Sequence, residues 1–460
     1  MRTMKTIFIT IFEGVESKNI LRTAILPTLL SHPDVRLVLF VKDARRRGYH
    51  EAEFKDPRIS YEVAGPLRVT GPDGMFVRLK FLLLRTKTTR LRRRMRYGEQ
   101  EGTGTASYLL GSLLQYLFAR PAIQRLARGL DFALVQSDTY ASSFEKYHPD
   151  LVLCANLFDE PEVHLLREAK RRGVKTIGII NSWDKATSRG ILRLLPDRLV
   201  VFNNHVRDDL LRYQAVPRDR IFVGGIPHYD QYISLRPWNR EEFFRRLNLS
   251  PVQQLIVYAP VGSLFGAADW DAIDMLEQCR RDGTFGDRAE LLVRFPPNDF
   301  IDQTELRKRP WLRYQYPGVR FSEERGTGID WDMTFPELEE LASTLFHMSL
   351  LVCYASSISV DAAILDKPVI NIGFELRPRA RGVKSPVQFF AQTHYEKALA
   401  TGGIHLARTR EDFVEWVNRY LAYPEFDRQG RKRLAEEQCM FLDGKSGERI
   451  ARYIITVLLT

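Results

Sequence analysis

The stretch YASSISVDAAILDKPVINIGFE, residues 354–375, follows one apolar run and contains a second, and this arrangement indicates the fold class. The run LLVC (350–353) precedes it, and PVINIG (368–373) falls near its end. Both runs have the length and composition of buried strands, and the segment between them is long enough for a short helix. A strand, a helix and a second buried strand in this order predict a parallel sheet with helices on both faces.

The same alternation runs along the whole chain and predicts an α/β protein with two Rossmann-like parallel sheets in tandem. Strands are predicted at 6–12, 35–41, 60–65, 151–156, 176–181, 198–203 and 220–225, and then at 255–260, 290–296, 350–355, 368–373 and 404–407. Helices are predicted at 19–31, 75–97, 106–130, 160–172, 204–214, 268–281, 336–346, 356–365, 410–421, 427–439 and 445–458. The expected domains are 1–235 with a basic helical insertion at 75–130, 236–445, and a last helix, 446–460, that returns to the first domain.

Composition favours an intracellular protein with anionic partners. The 460 residues carry a net charge of +11, and the four cysteines are too far apart for a CxxC zinc site or an evident disulfide framework. The apolar run near the N-terminus is short and interrupted by Glu13, so it predicts a buried strand and not a signal peptide. With no run of about 18 apolar residues, no transmembrane helix is expected.

Serines crowd the predicted start of the helix after LLVC. Ser356, Ser357 and Ser359 could simply cap that helix, since serine hydroxyls accept bonds from first-turn amides. They could equally help to bind a phosphate, because free amides and the helix dipole favour an anion there. Both interpretations stay open from the residues alone.

Other strand ends in the second half offer further candidates for a nucleotide-binding site. Gly262 and Ser263 form a flexible turn, Arg294 could neutralise a diphosphate or pair with an acid, Gly373 could leave room for a ligand, and Glu375 could accept from ribose hydroxyls. None of these turns has a GxGxxG or P-loop pattern.

Polar groups also follow the predicted strands of the first half. They are Gly14, Ser17 and Asn19 after the first strand, Asn156 and Asp159 after the fourth, Trp183, Asp184 and Lys185 after the fifth, and His228 near the end of the first domain. Asp184 and Asp159 are the candidates for a general base that deprotonates an acceptor hydroxyl, and each could instead be a helix cap.

Three segments resemble bacterial GT-B glycosyltransferases: VGGIPHYD (223–230), SSISVDAAILDKPVI (356–370), and the tail TGGIHLARTREDF (401–413) with DGKSGERIARYI (443–454). The similarity is to the branch with CDP-glycerol glycerophosphotransferase-like and surface-polysaccharide enzymes. It implies donor phosphate binding at Ser356, Ser357 and Ser359, an acceptor site in the first domain, and no bound metal. Family members often have His-Pro where this chain has Pro296-Pro297, which favours a nucleotide-sugar donor over CDP-glycerol.

The expected function is therefore transfer of a sugar from a nucleotide-diphosphate donor to a glycan or lipid-linked acceptor in bacterial surface-polysaccharide synthesis. The alternatives are a CDP-glycerol-type glycerophosphotransferase, a non-hydrolysing nucleotide-sugar 2-epimerase, whose acid and base constellation is not evident in the sequence, and a non-catalytic nucleotide-binding scaffold. No cofactor is expected, and nucleic acid is not an expected partner because no RNA- or DNA-binding motif is present.

The basic segment 75–97 contains nine lysines and arginines and no acid. Its apolar residues are Phe76, Leu79, Leu82, Leu83 and Leu84. A basic amphipathic helix of this kind can lie on an anionic membrane, which would place the protein at the inner face of the cytoplasmic membrane. The alternative is a solvated helix whose apolar stripe packs on the first domain.

Overall fold

The computed structural model describes residues 4–67, 71–98, 104–234, 236–262, 265, 268–321, 331–378 and 385–460. These residues form two compact units. The first contains the described residues up to Asp230 together with Cys439–Thr460, and the second is Gln231–Gln438.

The first unit is built on a seven-stranded sheet in the order β3-β2-β1-β4-β5-β6-β7. Every strand pair in it is parallel. The strands are β1 (Lys5–Ile11), β2 (Val35–Val41), β3 (Ile59–Val63), β4 (Leu151–Cys154), β5 (Lys175–Ile179), β6 (Arg198–Val201) and β7 (Ile221–Val223). Their side chains are mostly buried because helices cover both faces, so the strands are continuously apolar.

The helices of the first unit include a four-helix insertion between β3 and β4. They are α1 (Gly14–Glu16), α2 (Ile25–Leu30), α3 (Ala44–Glu53), the insertion α4 (Gly71–Leu82), α5 (Lys87–Gly98), α6 (Gly104–Phe118) and α7 (Pro121–Leu134), and then α8 (Ala141–Tyr147), α9 (Glu160–Arg171), α10 (Lys185–Ser188) and α11 (Asn204–Tyr213). The last helix of the chain, α21 (Ser446–Leu459), packs within this unit on α2 and β5.

The second unit has a six-stranded parallel sheet in the order β10-β9-β8-β13-β14-β15 and a two-stranded antiparallel pair, β11 with β12. The strands are β8 (Gln254–Ala259), β9 (Ala289–Arg294), β10 (Tyr314–Gln315), β11 (Val319–Arg320), β12 (Trp331–Asp332), β13 (Leu350–Cys353), β14 (Val369–Ile372) and β15 (His405–Ala407). The helices are α12 (Gln231–Ser234), α13 (Arg240–Arg246), α14 (Ala268–Arg281), α15 (Gln303–Arg307), α16 (Phe335–His347), α17 (Ile358–Ile364), α18 (Thr393–Leu399), α19 (Arg410–Ala422) and α20 (Arg428–Cys439).

The predicted fold class is confirmed, since both sheets are parallel and each alternates with helices. The single helix predicted at 75–97 is wrong, because α4 ends at Leu82 and a second helix, α5, begins at Lys87. Thr86 precedes α5, and its hydroxyl accepts from the Thr89 amide in the first turn of that helix. The helix predicted at 106–130 is likewise two helices, because Arg120 is extended and Pro121 starts α7. The helix predicted at 19–31 is a π-helical turn, Ser17–Leu21, followed by α2.

Of the five apolar residues named in segment 75–97, three are buried and two, Leu79 and Leu82, are half-buried, which favours the alternative that this stripe packs on the first unit. Phe76, Leu83 and Leu84 are buried, and Leu83 and Leu84 pack with Ala127 and Ile191. In the described part of the chain, no helix has both the length and the apolar character needed to cross a bilayer.

Candidate functional site

Three carboxyl groups meet at the carboxyl ends of β1 and β4, which are paired neighbours in the first sheet. Glu13 and Glu16 follow β1, and Asp159 follows β4. An oxygen from each of the three lies within 4.8 Å of the others, so the group could hold a cation or share a proton. We call these three residues the carboxylate cluster. In parallel α/β sheets this edge is where ligands bind.

Glu16 is the buried member of the carboxylate cluster. One of its oxygens accepts from the backbone amides of Phe12 and Glu13, at 2.5 and 3.0 Å, and no hydrogen bond within the described residues reaches the other oxygen. Burial, which has the largest effect, and the nearby charges of Glu13 and Asp159 together raise the pKa of Glu16 to about 8, against a smaller opposing effect of Lys185. At neutral pH this carboxyl therefore holds a proton.

Glu13 and Asp159 are half-buried and lie beside that protonated acid. Burial raises the pKa of Glu13, Asp159 raises it further, and Lys185 and Arg189 lower it. Asn156 orients Asp159, because its side-chain amide donates to the Asp159 carboxylate at 2.7 Å. Neighbouring carboxyl groups with different proton affinities are suited to moving protons to and from a bound substrate.

Two further side chains at the same sheet edge are buried and polar. Glu162 accepts from the backbone amide of Asn156 at 2.6 Å, and burial raises the pKa of Glu162 well above its usual value. Asn181, after β5, is only 4% exposed, and neither its amide oxygen nor its nitrogen has a hydrogen bond within the described residues. An unsatisfied buried amide is costly, so Asn181 is a candidate ligand contact.

The structure separates the two candidate bases. Asp159 belongs to the carboxylate cluster, whereas Asp184 precedes α10 and accepts from the hydroxyls of Ser182 and Ser188, at 2.5 and 2.9 Å. These contacts hold the loop after β5 together. Trp183 and Lys185 are half-buried in the same loop, and the Lys185 charge acts on Glu13 and Glu16.

The polar residues predicted after β1 mostly stabilise their own turn. Gly14 is buried in α1, and Ser17 is buried and accepts from Arg22. Asn19 donates to the Val15 carbonyl, so its side-chain oxygen is the atom that lies 2.7 Å from Nδ1 of His228. His228 therefore donates from Nδ1, which leaves Nε2 as an acceptor. Burial lowers the pKa of this imidazole well below 6.5, with Lys18 adding to the effect, so the ring is neutral.

In the second unit, the three serines after β13 have different environments. Ser357 is the exposed residue that precedes α17 and makes no capping bond from its side chain, and Ser356 is half-buried. Ser359 is fully buried and lies 3.2 Å from the Tyr395 hydroxyl and 3.4 Å from the Cys353 sulfur. Ser359 thus belongs to the core, and only Ser356 and Ser357 remain candidates for contact with a ligand.

Arg294 ends β9 and is buried. Its Nη1 donates to Gln315 at 2.5 Å and pairs with Glu340 at 3.2 Å, whereas Nη2 is buried and has no hydrogen bond within the described residues. Burial lowers the pKa of this guanidinium, although Glu340 opposes the effect. Both predicted alternatives for Arg294 thus have support, since one nitrogen is paired with an acid and the other is unsatisfied.

The loop after β8 is held by Asp269, which accepts from the Gly262 amide at 2.8 Å and from the Val261 amide at 2.9 Å. Burial raises the pKa of Asp269 to about 6. Gly262 has a φ of +106°, and a Cβ there would lie 2.9 Å from the Asp299 carboxylate. Ser263 lies outside the described residues.

Gly373 and Glu375 also have structural roles. A Cβ at Gly373 would lie 2.5 Å from the carbonyl oxygen of Ala407, so close approach to β15 requires this glycine whether or not a ligand binds. Glu375 is exposed and accepts from the Ser385 hydroxyl. Arg377, from the basic loop that follows, forms an ion pair with Asp271 at 2.8 Å.

Sequence reasoning missed Glu13 and Glu16. The signal was present in FEGVES, where two carboxylates stand three residues apart directly after a buried strand. A helical turn brings such a pair together, but only the strand order, with β4 beside β1, adds Asp159 to it.

No family model matches the chain, and no curated protein matches it. Solved structures do match over nearly the whole length. They include UDP-GlcNAc 2-epimerase from Neisseria meningitidis bound to UDP-GlcNAc (12% identity, 98% of this chain and 100% of that one, TM-score 0.53) and a glycosyltransferase from Rickettsia africae (10%, 98% and 99%, TM-score 0.50). The wall teichoic acid polymerase TagF also matches (13%, 99% and 88%, TM-score 0.51). At these identities the likeness establishes the fold, and the chain has the GT-B fold that these transferases and epimerases share.

Proposed function

We propose that this chain is a glycosyltransferase that moves a sugar from a nucleotide-diphosphate donor to a glycan or lipid-linked acceptor in surface-polysaccharide synthesis. The observation that carries the proposal is the carboxylate cluster, in which buried Glu16 has a pKa of about 8 beside Glu13 and Asp159. An inverting transfer requires a carboxylate or histidine near the acceptor hydroxyl, and the GT-B fold offers this sheet edge for it.

Within the cluster, Asp159 is the proposed general base. It is half-buried, and Asn156 orients it at 2.7 Å, so it can reach a substrate hydroxyl with a defined geometry. Glu16 keeps its proton at neutral pH, which limits the repulsion among the three groups. Burial and then the charge of Asp159 raise the pKa of Glu13, and the cations Lys185 and Arg189 oppose that rise. Asn181 supplies a buried amide for a further substrate contact.

The second unit is the proposed donor site. Ser356 and Ser357 stand at the start of α17, where hydroxyls and first-turn amides suit a diphosphate. The unsatisfied Nη2 of Arg294 is the proposed cation for the departing nucleoside diphosphate, which removes the need for a metal in that step. Solved GT-B neighbours bind related ligands, since the N. meningitidis structure contains UDP-GlcNAc.

A nucleotide-sugar 2-epimerase is the second candidate, and one observation favours it. The cluster offers more acid and base groups than a single base needs, and burial raises the pKa of two of them, Glu16 and Glu13. Epimerisation at C2 breaks and re-forms a C–H bond, so it needs a base and an acid at the sugar. The three carboxyl groups of the cluster could supply that base and that acid, which supports this candidate.

The deciding experiment measures two products in D2O. A thermal-shift panel of UDP-, GDP-, dTDP- and CDP-sugars first selects the donor. Release of nucleoside diphosphate that increases with added glycan acceptor supports the transferase. Deuterium at C2 of the sugar without such release supports the epimerase. Binding with neither reaction, across all acceptors, would leave a nucleotide-binding scaffold and overturn the proposal.

Matched variants test the assignment of the base. Asp159→Asn should abolish turnover while the donor still binds, and Asp184→Asn should retain turnover, because Asp184 is engaged by two serine hydroxyls in its own loop. If Asp184→Asn alone abolished turnover in a folded protein, the base would be Asp184, and the role proposed for the carboxylate cluster would be refuted.

A further inference from the structure

Helix α6 presents its apolar residues to solvent and a polar residue to the interior. Gln115 is 1% exposed and donates to the Leu84 carbonyl. The outward residues follow the spacing of one helical face, and their exposed fractions run from 42% to 60%: Leu109, Leu110, Leu113, Tyr116 and Leu117. An ordinary surface helix has the opposite arrangement, with its apolar stripe facing the core.

Helix α7 has the same inverted arrangement. Its inward side chains are Gln124, Arg128 and Asp131, which bond to backbone carbonyls and to buried arginines of the first unit. Its outward side chains are Leu126, Leu130 and Leu134, four residues apart and 45% to 62% exposed. The polar inner face fixes the orientation of α7, so the leucines cannot turn inward without leaving buried charges unpaired.

The exposed apolar residues form one region of the insertion. Helices α6 and α7 are consecutive, and both pack on α4, whose Met75 and Phe81 are also exposed. We call this region the outer face: Met75, Phe81, Leu109, Leu110, Leu113, Tyr116, Leu117, Phe118, Leu126, Leu130 and Leu134. Proteins that stay free in solution rarely expose so many large apolar side chains together.

The charges around the outer face are almost all positive. Residues 71–134 contain twelve lysines and arginines. The acids in the described part of this range, Asp73 and Asp131, are both buried and pair with Arg193. Exposed cations lie on α4, on α5, which packs on α6, and near the start of α7: Arg78, Arg85, Lys87, Arg90, Arg94, Arg96, Arg120 and Arg125. Arg85 lies directly at the face, 4.7 Å from the centre of the Tyr116 ring.

We propose that the outer face docks on an anionic lipid surface, with its leucines and aromatic rings among the headgroups and its arginines on the lipid phosphates. Charge complementarity selects this partner. A second copy of the chain would bring two strongly cationic surfaces together, whereas anionic lipid offers both an apolar layer and negative charge. Helices of 14 and 15 residues are too short to span a bilayer, so they lie on it.

The test is vesicle flotation of the full chain with phosphatidylcholine alone and with added phosphatidylglycerol. Leu109→Glu with Leu113→Glu should reduce binding to the anionic vesicles on the order of tenfold or more, because apolar insertion is lost. The matched control is Ile233→Glu with Val252→Glu, which adds the same charge at two exposed apolar positions of the second unit and should bind like the parent. Arg90→Gln with Arg94→Gln should weaken binding and its salt dependence.

Three results would overturn the proposal. The first is that the parent chain does not bind anionic vesicles. The second is that the control variant and the outer-face variant lose vesicle binding equally. The third is that the parent forms a dimer in light scattering, that the leucine variant dissociates this dimer, and that neither protein binds vesicles. Because the readout is binding without substrate, its failure is separate from failure of the proposed glycosyl transfer.

Discussion

Replacing Glu16 with glutamine should remove much of the pH dependence of stability in the first unit. Burial raises the pKa of Glu16 to about 8 from an ordinary value of 4.5. The native state therefore holds this proton more tightly than the unfolded chain, so the free energy of unfolding falls as pH rises through this range. Across the whole interval the difference corresponds to about 5 kcal/mol, and about 2.5 kcal/mol of it falls between pH 6 and pH 9.

Glutamine suits this position because its side-chain oxygen can still accept from the amides of Phe12 and Glu13. Its amide nitrogen would face Glu13 and Asp159, to which it can donate. The variant should therefore resemble the parent near pH 6 and become the more stable protein at pH 9. Other buried acids, such as Asp269, titrate in both proteins, so the difference between the two curves isolates Glu16.

The measurement is amide hydrogen exchange of strand β1 from pH 6 to pH 9, which reports the unfolding free energy of the unit that contains Glu16. Glu415→Gln, at an exposed helical position of the second unit, serves as the control and should follow the parent at every pH. Parallel curves for the parent and Glu16→Gln would refute the reasoning, because they would mean that Glu16 titrates in the native state as it does in the unfolded chain.

Three further predictions follow from individual contacts. Gly373→Ala should lower stability by about 1–3 kcal/mol, since its Cβ would lie 2.5 Å from the Ala407 carbonyl, and a loss of nucleotide affinity without a loss of melting temperature would contradict this. Ser356→Ala with Ser357→Ala should lower nucleotide affinity in calorimetry at unchanged melting temperature, whereas buried Ser359→Ala should lower the melting temperature. Arg193→Met should destabilise the first unit by about 3–5 kcal/mol in denaturant titrations, because it leaves Asp73 and Asp131 buried without this partner, and a neutral result would contradict it.

The sheets could be predicted from the sequence because buried parallel strands are continuous apolar runs between helices, which is a local pattern. The runs at 35–41 and 350–353 coincide with β2 and β13. The strands that escaped prediction, β10, β11 and β12, are two residues each, and no periodicity exists over two residues. Strand order was equally out of reach, since the pairing of β1 with β4 spans more than a hundred residues.

The candidate site was predictable only in part, because the sequence shows local patterns and not the contacts between distant residues. Sequence position identified the strand ends, and hence Asp159, Asn156 and the serines before α17. It could not separate residues that face a ligand from those that hold their own turn. Asp184 and Ser359 have the same residue types as the remaining site candidates. The carboxylate of Asp184, however, accepts from serine hydroxyls in its own loop, and Ser359 is buried in the core beside Tyr395.

The four-helix insertion shows why periodicity does not determine which face of a helix is buried. The spacing of leucines in α6 and α7 is that of an amphipathic helix, and the usual inference places such a stripe in the core. The polar residues decide otherwise, because Gln124, Arg128 and Asp131 find partners on the first unit that leucine could not replace without leaving buried carbonyls and arginines unsatisfied. The leucine stripe of these helices therefore faces outward. Its cost in water is reduced when something apolar covers it, and the surrounding arginines favour the anionic lipid surface that we propose as that cover.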